Sequence, residues 1–174
     1  IEITAAVGAF LTWDEVGGHS LVQQGGNAAL PGIIDSRGFH ANLLRSDIEQ
    51  ILGKPVLPSF SPVTKDYLLR LEFGLSSTAS VMRVAHMVAF ESHAGRMIDA
   101  LWNSVARLHP TVDKEQLSYF RTHVGGDDPA EEYHVQMTKR MVSEIVNPED
   151  TTRFRTFFGD AYRWLNIGWT CAYC

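Results

Sequence analysis

The chain has 174 residues, 45% of them hydrophobic and 20% charged, with a net charge of −5 and two cysteines. That length suits one domain, 1–174, able to bury a core, and the composition is that of a soluble globular protein. Scattered Lys and Arg under a negative net charge argue against a nucleic-acid face, and no run reaches the roughly 18 apolar residues of a membrane span.

Residues 5–15 are expected to form a short helix stopped by Gly17-Gly18. Residues 23–38, rich in Gly, Asn and Pro, read as a long mobile loop, of a kind uncommon in compact domains unless it has a role. Residues 39–52 place Phe39, Leu43, Leu44, Ile48, Ile51 and Leu52 on one helical face, with Gly53 as terminator. After an extended connector, Ser61-Pro62 supplies an N-cap with Pro at the first helical position, for a helix running toward Gly74. The next helix covers 77–108 with a kink near 92–95, and another covers 113–124. Asp128-Pro129 restarts a helix that reaches Ile145, and Asn147-Pro148 opens the last one. There is no internal repeat and no alternating strand pattern, so the fold class is all-α with six to eight helices.

The chain begins without Met and lacks a basic, apolar leader at its start, so an upstream segment and a cytoplasmic location are both expected. Cys171 and Cys174 form CAYC at the end of a helix, away from the strand context of a thioredoxin-like redox pair, and read as two ordinary thiols.

One stretch does not read as a plain turn. In YFRTHVGGDDPAEEYHVQM, His123 and Asp127 are i and i+4, Asp127 and Glu131 are again four apart, and Glu131 and His134 are three apart. Apolar neighbours such as Phe120, Val124 and Met137 flank this stripe, and imidazoles and carboxylates turned inward are costly unless a cation offsets them. The bland reading makes Asp127, Asp128, Glu131 and Glu132 a solvated turn and dipole partners of the next helix. His123 and His134 together with one carboxylate read better as metal ligands. Three other polar residues sit in apolar surroundings: Glu15 in WDEVGG, His40 in GFHANLL and Glu91 in VAFESHAG. Each alone is unremarkable, a core histidine or a surface carboxylate, but helical-bundle metal sites draw such ligands from several helices. His19, His86 and His93 compete for these places with poorer spacing.

Together these segments resemble the heme-oxygenase-like diiron oxidases and oxygenases, in particular the branch that includes the chlamydial protein associating with death domains. The resemblance rests on WDEVGG, FHANLL, VAFESHAG, HVGGD and EEYH, covers about Trp13 to the end, and is specific mainly in the late segment. It implies a heme-oxygenase-like helical bundle with Glu15, His40, Glu91, His123, Asp127 and His134 as metal ligands. The sequence departs from the pattern in two ways. The stretch from Glu15 to His40 is long, so that Gln23 and Gln24 stand where an acidic pair would also fit. His123 and His134 are eleven residues apart rather than seven, which leaves Asp127 and Glu131 both open as the late carboxylate, with Asp127 preferred.

Mixed carboxylate and imidazole ligation suits iron, or manganese, better than closed four-coordinate zinc. The resemblance implies two iron ions, O2 as co-substrate, and oxidation of a small molecule such as an amino acid or its derivative. A homodimer is allowed. The Glu15 end, beside the glycine-rich loop, is expected to be looser than the His123–His134 end. The alternatives are a metal-free enzyme of the same fold, thiaminase II-like or pyrroloquinoline-quinone-synthase-like, and a non-enzymatic helical interaction domain. The absence of a mid-chain cysteine nucleophile weakens the first.

Overall fold

In the computed structural model, residues 2–18, 36–57, 59–126 and 130–172 are described. Among them there is no strand: the fold is all-α, as expected, with seven α-helices. They are α1 (Ile3–Glu15), α2 (His40–Leu52), α3 (Pro62–Leu75), α4 (Ser80–Leu108), α5 (Ser118–Val124), α6 (Ala130–Ile145) and α7 (Thr151–Ala172).

Local chemistry explains the end of α2 and the start of α3. Gly53 closes α2 in the left-handed region at φ 64°, and Ser61 Oγ accepts the Thr64 amide at 3.1 Å ahead of Pro62 in α3. α4 is a continuous helix through residues 92–95, where a kink was expected. Residues 113–124 do not form one helix. The Asp113 side chain accepts the Glu115 amide and caps a 3-10 turn, Lys114–Gln116, and Leu117 is extended before α5 begins. Leu117 is fully buried, so burying its side chain wins over continuing the helix. The Asp128-Pro129 cap and the 19–35 part of the expected loop lie outside the described residues, as do His19, Gln23 and Gln24.

The chain divides into two compact units. One comprises residues 1–7, 58–94 and 134–174. There α3 packs along α7, and the interior holds Val81, Val84, Ala85, Ala89, Met141 and Leu165. The other comprises residues 8–57 and 95–133, with α2 packed on α5 around Ile98, Trp102, Leu117 and Phe120. Trp102 and Phe120 stack with ring centroids 6.4 Å apart, and the Trp102 indole N–H donates to the Lys114 carbonyl at 2.9 Å.

Asp47 fixes α5 on α2. Its carboxylate is 2% exposed and accepts the Ser118 and Tyr119 amides at 2.9 and 2.8 Å, satisfying two of the donors that a helix start leaves open. Burial pushes this carboxyl above its ordinary value, although the amides of Tyr119 and Ser118 pull it down.

Candidate metal centre

In the unit built on α2 and α5, three of the expected ligands meet. Glu15 is the last residue of α1, and the chain then turns at Gly17, which has φ 77°. A Cβ on Gly17 would sit 2.7 Å from the Gly38 carbonyl oxygen, and one on Gly18 would enter the Trp13 indole at 2.2 Å. Both glycines of WDEVGG therefore permit close approach, and Gly17 seats the end of α1 on the segment that leads into His40. His40 opens α2, and its Nδ1 lies 3.3 Å from Glu15 Oε2. That contact does not qualify as a hydrogen bond, so this nitrogen is buried facing a carboxylate without one.

His123 comes from the last turn of α5. Its Nδ1 is 2.9 Å from the Tyr119 carbonyl oxygen, which can only accept, so Nδ1 carries the proton. Nε2 then turns toward carboxylates, 4.0 Å from Glu15 Oε1 and 3.7 Å from Glu131 Oε1. The two imidazoles stand edge to face with centroids 4.7 Å apart. One ligand atom from each of Glu15, His40 and His123 lies within 4.8 Å of the others. Two imidazoles and a carboxylate, with the His123 ring oriented by a backbone carbonyl, form a donor set that could hold a divalent cation.

The electrostatics follow from this geometry. Burial would raise the Glu15 carboxyl, but His123 and His40 overcome it and hold the group at about 2. The side chain is still half exposed, so solvent weakens these contacts. Burial lowers His123, yet Glu15, the Tyr119 carbonyl and Glu131 raise it above its ordinary value. The Tyr119 ring lies 4.2 Å from the His123 ring, and burial with the nearby carboxylates of Glu15 and Glu131 raises its phenol, which keeps its proton.

Two further expected ligands pair in the other unit. His134 Nδ1 is 3.3 Å from Glu91 Oε2, and the two side chains are 7% and 11% exposed. Thr138 Oγ1 donates to the His134 carbonyl at 2.6 Å, anchoring that turn of α6. Asp127 lies outside the described residues, whereas its alternative, Glu131, stands beside His123. The competing histidines are engaged elsewhere: His86 Nδ1 bonds the Met82 carbonyl at 2.9 Å, and His93 Nδ1 is 3.2 Å from the Tyr162 hydroxyl.

Sequence reasoning passed over Asp14, which is fully buried next to Glu15, and took Tyr119, which flanks His123, only as an apolar neighbour of the stripe. No signal in the sequence marked Asp14, because adjacent carboxylates at a helix end read as solvated. No family model matches the chain, and no curated protein or solved structure matches it either.

Proposed function

We propose that this chain is a non-heme, two-iron, O2-dependent oxidase or oxygenase acting on a small substrate, with an amino acid or its derivative as the first class to test. The observation that carries the reading is the convergence of Glu15, His40 and His123 with the His123 proton fixed on Nδ1. One iron is assigned to these residues with Glu131, and a second to Glu91 and His134. Ferrous iron, when bound, supplies O2 reduction and the oxidising power for the substrate.

The chain's own groups have defined roles. Glu15 stays anionic because two imidazoles face it, so it offers a charged oxygen. His123 presents Nε2 as a lone pair once its extra proton leaves, and the Tyr119 carbonyl keeps the ring in that orientation. The Tyr119 ring covers one side of the imidazole and excludes water there. Manganese fits the same donors, and metal counting decides between the two.

The test is metal analysis of protein produced with iron supplied, followed by incubation with candidate amino acids under O2 and mass spectrometry of the products. About two irons per chain are expected, with large losses in His123→Ala and His134→Ala. Fewer than about one iron per chain, with binding unchanged in His123→Ala, overturns the reading.

A further inference from the structure

The unit built on α3 and α7 holds a half-open cavity of about 340 Å³, and none of the proposed metal ligands lines it. Its walls are mainly apolar and aromatic, with Tyr67 and Phe73 from α3, Ala89 from α4, and Phe157, Trp164 and Leu165 from α7. That volume is at the small end for ligand cavities, which run from roughly 300 to 1,000 Å³. An apolar body the size of one substituted ring suits it better than a long chain.

Three polar side chains line the same cavity: Arg70, His86 and Asp160. The Arg70 guanidinium lies 3.8 Å above the Trp164 ring, and among the described residues no carboxylate pairs with it. A planar cation stacked on an indole keeps its N–H edge available, the arrangement that takes a carboxylate through two parallel hydrogen bonds. Asp160 makes no ion pair with Arg70; its Oδ1 lies 3.4 Å from the Arg163 guanidinium instead. His86 adds a flat wall. A Cβ on Gly74 would fall 2.0 Å from the His86 ring, so the absent side chain at 74 lets the imidazole lie against the α3 backbone. Its Nδ1 is committed to the Met82 carbonyl, which leaves Nε2 as the nitrogen able to meet a ligand.

We infer that this cavity binds a small aryl-alkyl carboxylate, its ring among Tyr67, Phe157 and Trp164 and its carboxylate on Arg70. The walls set the apolar body, and the cation without a protein carboxylate sets the head group. The inference does not depend on iron, and it is tested on chelator-treated, metal-free full chain, so its failure is separate from failure of the metal reading.

The probes are 3-phenylpropionate, 3-phenylpropanol and 3-phenylpropylamine, titrated by calorimetry with indole N–H resonances followed by NMR. The acid is expected to bind saturably at one site and to shift one indole resonance, which disappears in Trp164→Phe. The alcohol and amine should bind at least about tenfold more weakly. Arg70→Gln, at an exposed position, should weaken the acid at least about tenfold and leave the alcohol unchanged. Ala161→Trp should weaken acid and alcohol together by filling the cavity, with far-UV circular dichroism and the melting temperature confirming that both variants fold. Acid binding no tighter than alcohol binding, acid binding undiminished in Arg70→Gln, or no saturable binding at all overturns the inference.

Discussion

Gly17 and Gly53 share a left-handed backbone, at φ 77° and 64°, but not a neighbourhood. Around Gly53 a new Cβ would meet nothing within 4 Å, whereas at Gly17 it would press on the Gly38 carbonyl oxygen at 2.7 Å. Gly53→Ala should therefore cost only the left-handed penalty, about 1–2 kcal/mol. Gly17→Ala carries that penalty and also pushes residue 38 away, moving His40 from Glu15. Urea denaturation should show the larger loss for Gly17→Ala. Iron titration should show affinity reduced at least about tenfold there and unchanged in Gly53→Ala, since a misplaced ligand shell loses 10- to 100-fold. Equal effects of the two substitutions on iron would mean that Gly17 serves only the turn.

At the scale of the element, α5 depends on a residue far away in sequence. Asp47→Ala removes the acceptor for two amides at its start, 71 and 72 residues on, and should cost about 2 kcal/mol in denaturant unfolding. Because α5 carries His123, iron affinity should fall as well. Ser61→Ala, which removes the exposed cap of α3, should cost about 1 kcal/mol and leave iron binding alone. The same contrast explains what could be read from sequence. The ends of α2 and α3 were legible because Gly53 and Ser61-Pro62 act on their own helices. The start of α5 was not, since its cap lies on α2 and the break at Leu117 comes from burial rather than propensity. In the site, Glu15, His40 and His123 were legible as polar residues in apolar or glycine-bounded contexts. Asp14 was not, because a carboxylate at a helix end looks solvated until its burial is seen.

At the scale of the whole molecule, the metal-free and iron-bound proteins should respond oppositely to pH. In the metal-free chain His123 is raised above its ordinary 6.5, so the stability it contributes is fully present below 6.5 and is lost as pH rises through the folded value. Glu15 is held near 2 against an ordinary 4.5, so its contribution is present above 4.5 and lost as pH falls toward 2. Both contributions are therefore whole between 4.5 and 6.5, and the metal-free melting temperature should decline above that window. In the proposed site iron takes the His123 Nε2 lone pair, and binding there must expel the proton that stabilises the metal-free state. The iron-induced rise in melting temperature should accordingly grow from pH 6 to pH 8, approaching about 2.7 kcal/mol of stabilisation at a hundredfold excess over Kd. Scanning calorimetry with and without Fe(II) under anaerobic conditions measures both trends. His123→Gln, which keeps a polar side chain but cannot titrate, should flatten the alkaline decline and shrink the iron increment. An increment that stays constant with pH in the unaltered chain would place iron elsewhere than on His123.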